Sequence, residues 1–496
     1  MKCNDDLLLA IDQGTSSTRA LAFSNTAEVV TTQQQSFEQI YPHPGWVEHD
    51  PEEIWATALS TSRQVVLRIA AMERTIAAIG ITNQRETTIL WDRRSGAPIY
   101  NAIVWQDRRT ADRCRQLARE HGESAIGAKT GLRLDPYFSA TKIAWILDHV
   151  TGAREAAKAG HIAFGTIDSF LVSRLTGGRL HITDATNASR TALYDIGRGR
   201  WDEALCDLFD VPMNVLPEVR DSAGKFGLTD ANVLGQALPI CGIAGDQQAA
   251  LIGQSCFKAG DVKSTYGTGA FLVLNTAQQL VPSKHRLLTT IAYSLNGVVT
   301  YALEGSILSA GSTIQWLRDG LGLIAKASDI EALAQSAPDS GGVYLVPAFT
   351  GLGAPYWDPD ARGAIIGLTR GSTRSEIARA ALDSVAFQTY DLLDAMAADG
   401  LRPETLKVDG GMSNNNLFLQ RLADILGIPI RRPANAESTA FGAACLAGLG
   451  SGVYGCLDDI AALSRSETRF EPTLDIPDRD SQIAGWRNAL QRVRSS

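Results

Sequence analysis

Small hydroxyl residues follow the first apolar run of the chain, in the stretch LLLAIDQGTSSTRALAF at residues 7–23. Asp12 ends that run, a turn with Gly14 and hydroxyl residues 15–18 follows, and Arg19 opens a second apolar run. A tight glycine turn lets backbone N–H groups converge, and hydroxyls add donors, so such a turn can hold phosphate oxygens. Asp12 suits a hydrated Mg²⁺ at those phosphates, and Arg19 offsets negative charge. A plain hairpin capped by Asp12 is the alternative.

A second polar group ends the buried-looking strand in GITNQRETTILW, residues 80–91. Arg85 supplies a fork of donors and Glu86 a carboxylate acceptor, which suits a small substrate with several hydroxyl groups. An ion pair at a strand end is the simpler alternative. Trp105 in AIVWQDRRT and Tyr137 in GLRLDPYFSATK are core aromatics on general grounds, or lie beside such a substrate.

A third group is Asp246 with Gln247, in ICGIAGDQQAALIGQ at residues 240–254. Asp246 stands between a strand and a helix, where the local pattern predicts the N-cap of the helix. A carboxylate there that faces a phosphate loop would also serve a phosphoryl transferase as the acceptor of a hydroxyl proton. Gln247 would then orient the same hydroxyl.

A glycine pair precedes amide residues in VDGGMSNNN, residues 408–416. Glycines allow close approach of a flat ring or a phosphate, and Asn415 offers a side-chain amide. The structural alternative is a strand-to-helix turn in which Ser413 or Asn414 caps the helix.

Strand and helix patterns alternate along almost the whole chain, which indicates an α/β protein. Asp50 with Pro51 predicts a helix start, TIAAIGITNQ a buried strand, and the run from TLKVDGG to ESTAFGAACLAGLG a strand, helix, strand and helix. KSTYGTGAFLVL at residues 263–274 repeats the Gly and Thr turn between strands of the first stretch. This repetition suggests two related domains with a boundary near residues 253–260.

Composition excludes several classes of protein. The 496 residues are too many for one core, and 45% apolar with 20% charged residues is ordinary for a globular protein. The net charge of −8 with scattered basic residues argues against nucleic-acid binding. No apolar run reaches the length of a membrane helix, and seven scattered cysteines fit a reducing compartment, so we expect a cytoplasmic protein.

Rival motifs fail. No G-x-x-x-x-G-K-[ST] occurs, and GSGVYG at residues 450–455 follows an alanine-rich helix rather than a strand, so we interpret it as a helix end and a loop. Histidine spacing fits no metal site, and there is no G-x-S-x-G elbow.

Taken together, these segments resemble the glycerol kinases, a branch of the sugar-kinase family that shares the fold of actin and hexokinase. The resemblance covers most of the chain and rests on these segments in order: IDQGTSSTRA, GITNQRETT, IVWQDRR, PYFSATK, TDATNASRTALYDI, GIAGDQQAAL, TYGTGAF, ALEGSILSAGSTIQWLRD, VPAFTGLGAPYWDPDARGAI, VDGGMSNNNLFLQ and ESTAFGAACLAG. It implies two ribonuclease H-like (actin-like ATPase) domains, residues 1–254 and 255–496, with mixed sheets flanked by helices. The active site would lie in the cleft between a glycerol-binding first domain and a nucleotide-binding second domain.

The resemblance also implies a function and residue roles. The function is ATP-dependent phosphorylation of glycerol to sn-glycerol 3-phosphate in glycerol uptake and catabolism, with ATP and Mg²⁺, by a homodimer or homotetramer. The implied roles are Asp246 as general base; Arg85, Glu86, Tyr137, Asp246 and Gln247 on glycerol hydroxyls; Trp105 and Phe271 on its carbon edge; Thr15, Ser16, Ser17 and Arg19 at the ATP phosphates; Thr268, Gly311, Gln315, Gly411 and Asn415 along the nucleotide; and Asp12 on Mg²⁺ through water.

One departure from the family concerns regulation. Some bacterial relatives inhibited by fructose 1,6-bisphosphate carry Gly-Thr-Arg before the Pro-Ile that precedes the catalytic aspartate, whereas this chain has Gly-Gln-Ala-Leu at residues 235–238. Because a bidentate phosphate contact is missing, we expect weak or absent inhibition. No histidine lies between His181 and His285, so activation by phosphorylation of a histidine on the loop before Asp246 is not expected.

Overall fold

The computed structural model describes residues 6–434, 437–463 and 467–495. The strands of the first half are β1 (Leu7–Gln13), β2 (Ser17–Phe23), β3 (Val29–Ser36), β4 (Glu48–His49), β5 (Ile76–Asn83), β6 (Ile89–Asp92), β7 (Ala102–Ile103), β8 (Ile162–Gly165), β9 (Ile182–Asp184), β10 (Tyr194–Asp195), β11 (Arg200–Trp201), β12 (Glu218–Arg220), β13 (Ala223–Leu228) and β14 (Pro239–Gly245). Its helices are α1 (Pro51–Ala71), α2 (Ala111–His121), α3 (Ser124–Thr130), α4 (Ser139–His149), α5 (Ala153–Lys158), α6 (Ile167–Leu175), α7 (Ala185–Ala188), α8 (Glu203–Leu208), α9 (Ala231–Leu234) and α10 (Asp246–Gly253), with a 3₁₀ turn at Met213–Val215.

The strands of the second half are β15 (Val262–Tyr266), β16 (Ala270–Ala277), β17 (Leu288–Leu295), β18 (Val298–Ile307), β19 (Tyr344–Val346), β20 (Ala364–Ile366), β21 (Leu406–Asp409), β22 (Ile430–Pro433) and β23 (Glu467–Phe470). Its helices are α11 (Gly311–Asp319), α12 (Asp329–Gln335), α13 (Arg374–Ala398), α14 (Asn416–Leu426), α15 (Ser438–Ser451), α16 (Leu457–Ala461) and α17 (Ile476–Gln491), with a 3₁₀ turn at Gly411–Asn414.

Two mixed sheets repeat one pattern. The first runs β13-β14-β5-β1-β2-β3 and the second β17-β18-β16-β15-β21-β22-β23. In the first, β1 pairs antiparallel with β2 and parallel with β5, which is parallel to β14; in the second, β15 stands in the same relation to β16, β21 and β22. The predicted pair of mixed sheets flanked by helices is therefore confirmed.

The apolar run at the start of the chain is explained by its position in the middle of the first sheet. Leu7, Leu9 and Ile11 face the core that α1 and α6 cover, whereas Leu8 and Ala10 face the opposite core. A strand that is buried on both faces needs apolar residues in succession rather than in alternation. Asp12 is the first position at which β1 carries a charge, at the edge where β1 turns into β2.

Local predictions for several elements are confirmed. Asp50 caps α1 by accepting a hydrogen bond from the backbone N–H of Glu52, with Pro51 at the first helical position. The TIAAIGITNQ strand is β5, and the run that ends in ESTAFGAACLAGLG forms β21, α14, β22 and α15. GSGVYG lies at the C-terminal end of α15, where Gly452 adopts the left-handed conformation that ends many helices.

Helix α15 belongs to the second half of the chain but packs on the first sheet. Its residues share a buried core with Leu8, Ala78 and Ala244. Glycines permit backbone contact here, since a Cβ on Gly442 would lie 1.8 Å from the carbonyl oxygen of Ala249 on α10. Helices α10 and α15 therefore cross backbone to backbone where the two sheets meet.

Within residues 6–434, 437–463 and 467–495, no helix is both long and apolar enough to cross a membrane.

Candidate functional site

A compact cavity of about 170 Å³ opens between the two sheets. Its volume is below the roughly 300–1,000 Å³ of pockets for larger ligands, so it suits a small one. Residues of both halves line it: Thr15, Arg85, Glu86, Trp105, Gln106, Tyr137, Asp246, Gln247, Thr265, Gly267, Thr268, Gly269 and Phe271.

The turn between β1 and β2 reaches the cavity through Thr15. The backbone N–H of Gly14 donates to the carbonyl of Ser17 at 3.0 Å, which leaves Thr15 at the tip, where its hydroxyl oxygen accepts a hydrogen bond from Trp105 Nε1 at 3.0 Å. Arg19 forms ion pairs with Asp12, its cross-strand neighbour, and with Glu437. Burial raises the pKa of Asp12, and the Arg19 guanidinium opposes that shift.

Arg85 is held by acidic groups from both halves of the chain. Its Nη1 lies 2.5 Å from Oε2 of Glu304 on β18, its Nη2 3.1 Å from Oε1 of the same residue, and its Nε 3.3 Å from Asp246 Oδ1. A Cβ on Gly245 would lie 2.7 Å from Cδ and Cγ of Arg85, so only glycine at that position leaves room for the arginine stem. The guanidinium therefore has a fixed place at the wall of the cavity.

Glu86 is buried and has a constrained backbone. Its φ of 59° is in the left-handed region, which costs a residue other than glycine about 1–3 kcal/mol. Arg190, itself fully buried, donates from Nε to Glu86 Oε1 at 2.6 Å and from Nη2 to Glu304 Oε1 at 2.8 Å. Burial raises the pKa of Glu86, and Arg190 and Arg85 oppose it. Arg85, Glu86, Arg190 and Glu304, which we call the charge network, thus alternate in sign.

Asp246 is the first residue of α10 rather than its cap. Gly245 occupies the N-cap position, so the prediction that Asp246 caps the helix is wrong. The carboxylate accepts hydrogen bonds from its neighbour, at 2.7 Å from the Gln247 backbone N–H to Oδ1 and at 3.1 Å from Gln247 Nε2 to Oδ2. Burial raises its pKa, while Arg85 and Lys263 oppose the shift, and 31% of the side chain is still exposed. An accessible carboxylate of raised pKa can accept a proton.

Aromatic side chains line the same cavity as these polar groups. Trp105 packs edge-on against Tyr137 and Phe271, with ring centroids 5.7 and 5.9 Å apart. The Tyr137 hydroxyl oxygen also accepts a long hydrogen bond, of 3.4 Å, from Arg85 Nη2. The cavity therefore offers donors, acceptors and an apolar face, as a polyol requires.

The second glycine turn, between β15 and β16, also lines the cavity, through Gly267, Thr268 and Gly269. Thr268 is at its tip, and its carbonyl oxygen accepts hydrogen bonds of 3.0 Å from the backbone N–H groups of Ala310 and Ser312, at the start of α11. Gly311 packs against the same turn, since a Cβ there would lie 2.6 Å from the carbonyl oxygen of Gly267 and 3.7 Å from Met412. The turn, the start of α11 and the 3₁₀ turn at Gly411–Asn414 are therefore neighbours.

The structure assigns the cap of α14 to Asn415. Its Oδ1 accepts a hydrogen bond of 2.8 Å from the backbone N–H of Phe418. The alternative that Ser413 or Asn414 caps this helix is therefore wrong, although the turn itself lies where the sequence indicates.

Nine of the residues singled out from the sequence line the cavity together: Thr15, Arg85, Glu86, Trp105, Tyr137, Asp246, Gln247, Thr268 and Phe271. Asp12, Ser16, Ser17, Arg19, Gly311, Gln315, Gly411 and Asn415 are outside its lining. Sequence reasoning missed Gln106, Thr265, Gly267 and Gly269 in the lining, and Arg190, Glu304 and Lys263 behind it. A single charge in the apolar strand pattern ALEGSIL was the available signal for Glu304.

Comparison with known proteins identifies the class. Residues 7–253 match the N-terminal domain, and residues 262–451 the C-terminal domain, of the FGGY family of carbohydrate kinases. The chain belongs to this family.

Individual relatives are more specific. The chain is 56% identical to a glycerol kinase of Rhodospirillum centenum, over 98% of each chain, and 57% identical to glycerol kinase 1 of Pseudomonas aeruginosa, over 98% of this chain and 99% of that one. Its structure is similar to a crystal structure of Plasmodium falciparum glycerol kinase with ADP, with a TM-score of 0.92, 38% identity and 98% of each chain covered.

Proposed function

We propose that this protein transfers the γ-phosphoryl group of ATP to a terminal hydroxyl of glycerol, giving sn-glycerol 3-phosphate and ADP, in glycerol uptake and catabolism. The observation that carries the proposal is the composition of the cavity: Arg85, Glu86 and Asp246 line the same space of about 170 Å³ as Trp105 and Phe271. A three-carbon triol has hydroxyls for the first group and a carbon edge for the second. Similarity to glycerol kinases over the whole chain supports the same substrate.

In the reaction, Asp246 is the general base. A bond forms between a terminal oxygen of glycerol and the γ-phosphorus, the bond from that phosphorus to the bridging oxygen of ADP breaks, and the hydroxyl proton moves to Asp246. Phosphoryl transfer depends mainly on positioning and on charge stabilisation, which fixed donors such as Arg85 supply without rearrangement.

The remaining roles follow the two turns. Arg85, Glu86, Tyr137, Asp246 and Gln247 bind the glycerol hydroxyls, and Trp105 and Phe271 pack on its carbons. Thr15, Ser16, Ser17 and Arg19 meet the ATP phosphates, and Thr268, Gly311, Gln315, Gly411 and Asn415 meet the rest of the nucleotide. The two glycine turns that line the cavity support a grip on phosphates through backbone N–H groups.

The residues near the first turn fit Mg²⁺ held largely by the nucleotide. Among the described residues, no group of three His, Cys, Asp or Glu side chains could hold a metal alone. Mg²⁺ in kinases keeps several waters and uses one or two carboxylates with substrate phosphates, so Asp12 as a carboxylate acting through water is sufficient. The ion supplies charge neutralisation at the phosphates.

We further propose that residues 1–254 and 255–496 act as the two lobes around this site, in a cytoplasmic homodimer or homotetramer. The two sheets support the division, because the strands of the first precede Gly253 and those of the second follow it.

The test is ADP release from ATP and Mg²⁺ with glycerol, dihydroxyacetone, erythritol, xylulose or no acceptor. We expect fast turnover with glycerol, its loss in Asp246→Asn, and calorimetric binding of glycerol by that variant. Asp394→Asn is the matched control, because Asp394 forms an exposed ion pair with Arg487 and neither residue lines the cavity. ADP release that is equally fast without an acceptor would overturn the proposal in favour of an ATPase.

A further inference from the structure

A lysine with no assigned role is buried beside the proposed base. Lys263, on β15 of the second sheet, is 0% exposed. Its Nζ donates to Gln247 Oε1 at 2.5 Å and to Thr265 Oγ1 at 2.9 Å. Thr265 and Gln247 line the cavity, so the ammonium group is directly behind the wall that carries Asp246.

The chemistry of the ammonium group determines the orientation of the Gln247 amide. Lysine can only donate hydrogen bonds, so the amide atom that it contacts must be the oxygen. The amide nitrogen then points the other way, where Nε2 lies 3.1 Å from Asp246 Oδ2. Without the lysine, the amide loses the donor that fixes its oxygen, and only the Asp246 carboxylate still orients it.

We propose that Lys263 is a positioning residue for the phosphoryl transfer: it locks Gln247 as a donor to Asp246 and so keeps the carboxylate ionised and aimed at the substrate hydroxyl. This inference rests on the proposed function, because it needs Asp246 as the base. A residue of the second half of the chain, Lys263, thereby helps to control the ionisation of Asp246 in the first half.

The charges around Lys263 support a charged state at neutral pH. Asp409 on β21, Asp246 on α10 and Glu304 on β18 face it as acids, Arg85 as a base, and Cys256 is a buried thiol whose pKa burial raises to about 12. Burial lowers the pKa of Lys263 to about 8, against the raising effect of Asp409 and Asp246. The ammonium form therefore predominates at pH 7.

Loss of the Lys263 charge changes the pKa of Asp246 in a direction that can be predicted. Lys263 and the Gln247 hydrogen bonds lower the pKa of Asp246 against the effect of burial, as does Arg85. Removal of Lys263 takes away one of the interactions that counteract burial, so the pKa of Asp246 rises. A base is active only when ionised, so the acid limb of the pH profile moves to higher pH.

The test compares pH profiles of kcat for the full-length protein with Lys263→Met, Lys263→Arg and Lys142→Met. Lys142 is the matched control: it is also buried, with a pKa lowered to about 8, but it donates to the backbone carbonyls of Tyr137 and Glu86. When each variant's profile is divided by the wild-type profile, the effect of nucleotide titration on kcat cancels. Melting temperatures report folding, and Lys263→Gln replaces Lys263→Met if that variant does not fold.

We expect Lys263→Met to lower kcat by about 10- to 100-fold, part of the roughly 10²–10⁴-fold that a general base supplies, and to move the acid limb to higher pH. Lys263→Arg keeps the charge and the donors, so its acid limb stays with the wild type. Lys142→Met lowers stability without moving that limb. An unmoved limb in Lys263→Met, or the same shift in Lys142→Met, overturns the inference. Absence of glycerol-dependent turnover in the wild type would instead overturn the proposed function.

Discussion

The charge network makes a quantitative prediction for Glu304→Gln. The wild-type carboxylate is 0% exposed and lies between two guanidinium groups, at 2.5 and 3.1 Å from Arg85 and 2.8 Å from Arg190. The substitution keeps the shape but removes the charge, and one end of the new amide would present N–H groups to N–H groups. Arg85 and Arg190 would then be two buried cations with one negative charge fewer beside them.

The magnitude follows from the burial of these groups. Removal of one partner of a buried ion pair costs about 3–5 kcal/mol, because the other charge stays buried and uncompensated. We expect this loss in the free energy of unfolding at pH 7, and weaker glycerol binding, because Arg85 loses the contacts that fix it. Asp394→Asn, at the exposed pair with Arg487, should change stability by no more than about 1 kcal/mol.

The assay is urea unfolding followed by tryptophan fluorescence, with glycerol affinity measured by calorimetry. Burial raises the pKa of Glu304, but the Arg190 and Arg85 guanidiniums outweigh that effect and hold the pKa in the folded protein below its ordinary value. Its contribution is therefore present above the unfolded pKa and is lost as the pH falls through the folded pKa, so the difference between the proteins should shrink at acid pH. A difference below about 1 kcal/mol at pH 7, with glycerol affinity unchanged, would refute this reasoning.

Three further outcomes are expected. Gly442→Ala should destabilise the protein by about 1–3 kcal/mol or more, because its new Cβ meets backbone at 1.8 Å, whereas Gly371→Ala, with 3.7 Å of space, should not; equal melting temperatures would contradict this. Burial raises the pKa of Asp391 to about 7 despite a hydrogen bond from Trp486, so the contribution of Asp391 to stability should be lost as the pH rises from about 4 to about 7, and melting curves of Asp391→Asn should lack that loss. Fructose 1,6-bisphosphate should inhibit weakly or not at all, since the loop at residues 235–238 offers no guanidinium; a titration of the activity decides, and inhibition at physiological concentrations would contradict it.

Much of the fold could be predicted because its signals are local. The buried strand β1, the cap of α1 and the glycine turn at Gly14 each follow from a few neighbouring residues. The second glycine turn could be predicted for the same reason, and its likeness to the first indicated two related halves.

Arg190 and Glu304 could not be predicted as members of the charge network, because both are remote in the chain from Arg85 and Glu86, and Glu304 meets them only when the two sheets do. Arg190 and Glu304 are 114 positions apart, and the local sequence of neither residue indicates that their side chains meet. The predicted N-cap of α10, Asp246, differs by one residue from the observed N-cap, Gly245, for another reason. Gly245 ends the strand and caps the helix at once, and this frees the aspartate side chain for the cavity.

The crossing of α10 and α15 has a consequence for synthesis on the ribosome. The inner face of the first sheet, with Leu8, Ala78 and Ala244, is completed only by α15, which begins at Ser438. About 180 residues separate α15 from the end of α10 at Gly253. At about 5–20 residues per second, the apolar face waits roughly 10–40 s for its cover after the first half has emerged. The nascent first half therefore exposes this apolar face to solvent during that interval.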